Sequence, residues 1–227
     1  MRPRAVFFDL DDTLIDRAGA FARYVEDLIA RHPHAFPESR RDADVAELHA
    51  LDRRGSTSRT VFCRRVTTTF PGLELTPEAL WEDMSSRLPG FVRPHLGPCA
   101  LLEGLRKRAP VAAVSNGSGR VQRAKMAYAF LTSFLPDVFL SGEVGAEKPD
   151  PRIFRAALER VEREPHEVLH VGDDPERDIV GAARVGLSTC WVSHGRRWPS
   201  GLPPPTFTVE SIVEDIQEVA RVLRQWT

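Results

Sequence analysis

At 227 residues the chain can hold one large domain, or a core of roughly 150 residues with a smaller companion. It is 42% hydrophobic and 28% charged with a formal net charge of −1, which fits a globular protein and lacks the strongly basic face of a nucleic-acid binder. Cys63, Cys99 and Cys190 are odd in number and at no metal-ligand spacing, predicting reduced thiols and a cytoplasmic setting; no signal-peptide pattern opens the chain, and no apolar run reaches the roughly 20 residues of a membrane span.

The first predicted strand covers residues 4–9, where Val6, Phe7 and Phe8 form a continuous apolar run suited to burial on both faces. From Asp16 to about Pro98 the pattern is helical. Phe21, Tyr24, Val25, Leu28 and Ile29 mark one helix; Val45, Leu48 and Leu51 a second; Val61, Phe62 and Val66 a third. Thr76-Pro77 caps a fourth, containing Leu80, Trp81 and Leu88. Such an insert directly after the first strand reads as a cap domain, with Phe21 and Tyr24 in its core. Residues 90–98, with two glycines and two prolines, read as the return linker.

Apolar runs then recur at 111–115, 138–141, 168–171 and 189–192. Between them Ser118 caps a helix to Leu131, Asp150-Pro151 opens one over 152–163, and Pro175 opens one that stops at Gly186. Ser211 and Glu214 form a capping box before a last helix to about Trp226. The expected architecture is therefore α/β. A doubly wound parallel, Rossmann-like sheet spans residues 1–15 and 99–227, and an all-helical cap spans 16–98. The basic stretch Arg196-Arg197-Trp198 and its neighbouring prolines predict an exposed loop.

Four polar motifs fall at or near the carboxyl ends of predicted strands, where open parallel sheets bind ligands. Asp9-Leu10-Asp11-Asp12-Thr13-Leu14 follows the first strand, and crowded carboxylates repel unless a cation or proton lies among them. Ser115-Asn116-Gly117 offers a hydroxyl and backbone N–H groups beside a helix start, an anion site by type. Lys148 precedes the Asp150 cap and suits a phosphate as a compact cation. Gly172-Asp173-Asp174-Pro175-Glu176-Arg177-Asp178 supplies hard oxygen ligands for Mg²⁺, while Asp174 also suits an N-cap. Only three of the 31 basic residues are lysine, Lys107, Lys125 and Lys148, so a lysine here either marks a place unsuited to arginine or reflects genomic base composition. Gathered at one sheet edge, the four motifs suit phosphoryl transfer, which depends on positioning and charge neutralisation.

With these motifs the sequence resembles the haloacid dehalogenase (HAD) superfamily, in the type with a helical cap between the first and second motifs. The resemblance implies Asp9 as nucleophile and metal ligand, and Asp11 as general acid/base whose main-chain carbonyl also meets the metal. It implies Ser115 and Lys148, with Asn116 and Gly117, as binders of the phosphoryl oxygens, and Asp173 as the second carboxylate ligand of Mg²⁺. Asp178 would orient Lys148 or a metal-bound water, and Thr13 and Asp174 would support the site. The dehalogenases of this fold generally lack an acid at the place of Asp11. A phosphate ester's leaving oxygen needs a proton and a halide does not, so Asp11 favours phosphate. Segments 115–117 and 147–149 are loosely similar to those of N-acylneuraminate phosphatases and pyrimidine nucleotidases.

The expected function is Mg-dependent hydrolysis of a small phosphorylated metabolite, a sugar phosphate or nucleotide, through an aspartyl-phosphate. A phosphomutase, a haloacid dehalogenase and a non-catalytic scaffold are the alternatives. The expected partners are a small phosphate ester, no nucleic acid and no membrane, with the chain a monomer or homodimer. The cap is expected to set substrate choice. Its seven arginines at 40, 41, 53, 54, 59, 64 and 65 are expected to form a solvated, ion-paired face more than a second anion site.

Overall fold

The computed structural model describes residues 4–212, so the final helix expected after Ser211 lies outside the described residues. In chain order the regular elements begin with β1 (Ala5–Phe8), α1 (Arg17–Arg31), α2 (Arg41–Asp52), α3 (Arg59–Thr69), α4 (Pro77–Arg87) and α5 (Leu96–Arg106). Then come β2 (Val111–Ser115), α6 (Gly119–Tyr128), β3 (Asp137–Leu140), the short α7 (Ser141–Val144) and α8 (Pro151–Val161). The described chain ends with β4 (Val168–Gly172), a π-helical segment (Pro175–Val180), α9 (Gly181–Val185), β5 (Ser188–Val192) and β6 (Phe207–Val209). Among the described residues, no helix is long and apolar enough to cross a membrane.

Six strands form one parallel sheet in the order β3-β2-β1-β4-β5-β6. The chain builds outward from β1 on one side, then restarts at β4 and builds outward on the other. The winding therefore reverses between β1 and β4, and a crevice at the carboxyl ends of such a pair is where this architecture binds ligands. The registers Phe7 with His170 and Phe8 with Val171, and the bond from Asp9 N–H to Val171 C=O at 2.9 Å, align the two strand ends. All residues of β1, β2 and β4 are buried, which explains their unbroken apolar runs. One layer over the sheet joins Phe7, Ala112 and Val114 to Ile153, Phe154, Ala157 and Leu158 of α8.

Some local expectations need correction. Residues 90–98 are not all linker. α5 starts at Leu96, and Pro98 is tolerated in its first turn because the N–H it lacks has no helical partner there. The strand at 207–209 escapes sequence reading because only three residues pair, at the sheet edge. α6 stops at Tyr128, and Phe130 adopts φ +60. The helix from Pro175 opens with a π turn, in which Ile179 N–H bonds to Asp174 C=O.

The chain divides into two compact units, Met1–Asp16 with Arg93–Thr227, and Arg17–Val92. The second unit is helical, with a core that includes Phe21, Tyr24, Leu28, Leu48, Phe62 and Leu80. Phe21 meets Phe62 edge-on at 5.8 Å between ring centroids. Val61, expected to face this core, is 39% exposed, while Phe62, Cys63 and Val66 are buried. Arg40 pairs with Asp44 at 3.3 Å, and Arg41 pairs with Glu26, as the ion-paired reading of these arginines requires. Arg59 instead joins a buried pair. Arg17 Nη1 and Nη2 donate to Asp52 Oδ2 and Oδ1, both at 2.6 Å, and Asp52 also accepts from Arg59 at 3.1 Å and Gly55 N–H at 2.8 Å. Removing Asp52 takes from the buried Arg17 its two-pronged carboxylate partner. Asp52→Ala is expected to cost about 3–5 kcal/mol in denaturant unfolding; a change below about 1 kcal/mol would contradict a structural role for the pair.

Candidate active site

Asp9 leaves the end of β1 and is buried, as are Lys148 and Asp178. Lys148 Nζ donates to Asp9 Oδ1 and to Asp178 Oδ1, each at 2.6 Å. The Lys148 main chain is pinned by Asn116. Lys148 N–H donates to Asn116 Oδ1 at 2.7 Å, and Asn116 Nδ2 donates to Lys148 C=O at 3.0 Å. The Asn116 side-chain amide is thus committed to the Lys148 main chain. Gly117 likewise spends its N–H on Ser141 Oγ at 2.9 Å. Ser115 is buried at the end of β2, its hydroxyl accepting from Gln122 Nε2 at 3.0 Å.

Asp178 comes from the π turn, whose wider loop carries it back over the end of β4. The approach is so close that a Cβ on Gly172 would fall 2.3 Å from Asp178 Cγ, so only glycine fits there. Asp178 also accepts from Asp174 N–H at 3.0 Å and lies 3.0 Å from His170 Nε2. An ionised carboxylate only accepts, so Nε2 carries the hydrogen. Burial lowers the His170 pKa and keeps the ring neutral, although Asp178 pulls the other way. Asp174 caps the turn by accepting from Glu176 and Arg177 N–H, both at 2.9 Å.

Asp173 is partly buried. Arg196 Nη2 donates to its Oδ2 at 3.1 Å and to its main-chain oxygen at 2.8 Å, and Trp191 Nε1 reaches the same oxygen at 2.9 Å. Arg196 also lies over the Trp191 ring. The stretch expected to be an exposed loop is exposed at Arg197 and Pro199 but half-buried at Arg196 and Trp198, and Arg196 reaches the site through Asp173. On the other side, both carboxylate oxygens of Asp11 accept from Lys125 Nζ. Thr13 is buried, and its hydroxyl has no hydrogen-bond partner among the described residues.

The charges do not balance locally. One oxygen each from Asp9, Asp173 and Asp178 lies within 4.8 Å of the others. Burial raises the Asp9 pKa, more than Lys148 offsets, to about 7, with Asp178 and Asp11 adding repulsion. Burial also raises that of Asp173, helped by Asp178, Asp9 and Asp12 and opposed by Arg196. Asp178 stays below the usual carboxylate range, because Lys148 and His170 outweigh its burial. Burial opposes the Lys148 ammonium, yet Asp178 and Asp9 hold it firmly charged. Two acids are thus left short of positive charge beside a third that is satisfied. Oxygen donors in this number and spacing fit a hard divalent cation, and Asp9 and Asp173 are the residues that would hold it.

Sequence reasoning missed Lys125, Gln122, His170, Trp191 and Arg196 as neighbours of the site. Lysine scarcity singles out Lys125. The other four carry no such signal: His170 and Trp191 lie within apolar strands, and Gln122 and Arg196 reach the site only as their helix and loop fold back onto the strand ends.

Comparison with known proteins gives a consistent picture. The family model described as haloacid dehalogenase-like hydrolase matches residues 3–186. The N-acylneuraminate-9-phosphatase of Mus musculus is 30% identical over 229 residues, covering 94% of this chain and 92% of that protein. The pyrimidine 5'-nucleotidase YjjG of Escherichia coli is 34% identical over 144 residues, or 63% of this chain and 64% of that protein. Among solved structures, the magnesium-bound HAD-hydrolase YfnB of Bacillus subtilis superposes with a TM-score of 0.77 at 22% identity, covering 99% of this chain and 100% of that one. At that identity the likeness speaks for the fold.

Proposed function

Because the chain belongs to the haloacid dehalogenase-like hydrolases, we propose that it is a magnesium-dependent phosphatase that cleaves a small phosphate monoester through an aspartyl-phosphate on Asp9. The observation that carries this reading is the convergence of Asp9, Asp173, Asp178 and Lys148 at the winding reversal, with Asp11 held beside Ser115. The bound cation would neutralise phosphoryl oxygens, held by the Asp9 and Asp173 carboxylates and, as the family resemblance implies, by the main-chain carbonyl of Asp11.

Lys148 keeps Asp9 in place and presents a fixed positive charge to the phosphoryl group. Asp178 and His170 in turn fix Lys148. Asp9 attacks phosphorus while the Asp11 carboxyl gives its proton to the leaving oxygen. The Asp11 carboxylate then takes a proton from water, whose oxygen displaces Asp9 from phosphorus. The Ser115 hydroxyl and the backbone around it bind the phosphoryl oxygens. We assign the helical unit Arg17–Val92 the role of a cap that sets substrate choice.

Near-full-length similarity to N-acylneuraminate-9-phosphatases favours a phosphorylated sugar, and the shorter match to a pyrimidine nucleotidase makes a nucleotide the second class to try. We read the protein as a cytoplasmic monomer or homodimer. Phosphate release should be measured across sugar phosphates, phosphorylated sialic acids and pyrimidine nucleotides. One class is expected to stand out with kcat/KM of about 10⁴ M⁻¹s⁻¹ or more. No phosphate release from any of them, with halide release from short chloroacids, would overturn the reading.

A further inference from the structure

The three lysines occupy different environments. Lys107 is 71% exposed and pairs with Glu103 on α5, whereas Lys148 and Lys125 are buried. Lys148 has a role in the proposed reaction. Lys125, only 4% exposed, sits on α6 with Nζ 2.6 Å from Asp11 Oδ1 and 2.5 Å from Oδ2. One turn earlier on the same helix face, Gln122 Nε2 reaches Asp11 Oδ2 at 3.3 Å and Ser115 Oγ at 3.0 Å. Two side chains of one helix thus tie the acid of the first motif to the hydroxyl of the second. The Lys125 ammonium is buried and the Asp11 carboxylate partly exposed, and such a pair contributes little net stability compared with apolar residues of similar volume.

We propose that Lys125 is a positioning residue for Asp11: with Gln122 it holds the Asp11 carboxyl beside the phosphoryl site and stabilises the negative charge that develops there as the proton departs. The inference rests on the phosphatase reading. In the first half-reaction the Asp9 oxygen–phosphorus bond forms and the ester oxygen–phosphorus bond breaks. The leaving oxygen takes the Asp11 proton, which leaves an Asp11 carboxylate facing the Lys125 ammonium. In the second, a water oxygen bonds to phosphorus, the water proton goes to Asp11, and Asp9 departs as carboxylate.

Proton donation matters most for a poor leaving group, and this separates positioning from general damage. Phenyl phosphate and para-nitrophenyl phosphate are similar in size, but nitrophenolate departs with little need of a proton. The measured quantity is kcat/KM for each, which covers the steps through phosphorylation of Asp9. Lys125→Met is expected to lower kcat/KM for phenyl phosphate about 10–100-fold and for para-nitrophenyl phosphate by no more than about threefold. Because both substrates report on the same active enzyme, the ratio is independent of how much of the variant folds. Lys125→Arg should keep the ratio near that of the unaltered protein, and Gln122→Met should shift it in the direction of Lys125→Met, by less. Equal losses on both substrates, or no loss on either, would overturn the positioning role. If neither aryl phosphate is cleaved, the comparison passes to the best substrate of the metabolite screen, an alkyl ester that needs the proton. There Lys125→Met should lower kcat/KM about 10–100-fold and Lys125→Arg no more than about threefold, and equal losses in the two variants would overturn the positioning role. No phosphate release from any substrate of that screen would instead bring down the phosphatase reading, and the inference with it.

Discussion

Asp9→Asn is expected to lower turnover by about 10⁴-fold or more, the scale on which enzymes lose rate when a covalent nucleophile is removed. The amide is nearly isosteric, but it lacks the carboxylate oxygen nucleophile that forms the acyl phosphate of the cycle. The substitution also removes one of the two carboxylates that Lys148 bridges, leaving the ammonium its contact with Asp178. The fold should therefore persist. Acid quenching during turnover of a ³²P-labelled substrate should trap label on the unaltered protein in a form released by hydroxylamine, as an acyl phosphate is, and no label on the variant. Turnover within about tenfold of normal in a contamination-free Asp9→Asn preparation would remove Asp9 from the role of nucleophile.

Stripping divalent metal with a chelator is expected to stop the reaction, and excess magnesium to restore it. Asp173→Asn should raise the magnesium concentration needed for half-maximal rate by at least about tenfold. Stability gives a second readout, because the metal-free site holds acids short of positive charge. The Asp9 pKa stands at about 7 against an ordinary 3.8, so between those pH values the folded chain holds a proton that the unfolded chain has released. Folding stability from this group is therefore greatest at low pH and declines as pH rises from about 4 to about 7. Asp178, held below the usual range, adds stability above about pH 4 and does not vary within that window. Magnesium should flatten the decline, and at 100 times its Kd it adds about 2.7 kcal/mol. A melting temperature unchanged by magnesium at pH 7, with full activity in excess chelator, would take the metal out of the scheme.

Much of this was legible from residue order. Continuous apolar runs at 111–115 and 168–171 give β2 and β4 because a parallel sheet buries both faces, and polar motifs after them give the site's edge. The four helices of the insert follow from their apolar spacing and from the Thr76 cap, which does accept from Ala79 N–H. What local pattern cannot reveal is where a side chain reaches once elements fold together. Asn116 has the composition of an anion binder, yet its amide is taken by the Lys148 backbone, 32 residues away. Arg196 sits in a polar, proline-rich stretch that reads as solvent-facing, but Trp191 and Asp173 draw it inward. The π turn at 175–180 begins like any proline-initiated helix, and only its close approach to Gly172 distinguishes it.

Every side chain assigned to bond making belongs to the sheet-bearing unit, and none to Arg17–Val92. The helical insertion departs after one motif and rejoins ahead of the next, so its residues can drift without disturbing the distances among Asp9, Asp173 and Lys148. Under the proposed role of the helical unit, reactivity and selectivity would be inherited separately: an unchanged reaction centre could be handed new customers by rewriting a single contiguous stretch of the gene.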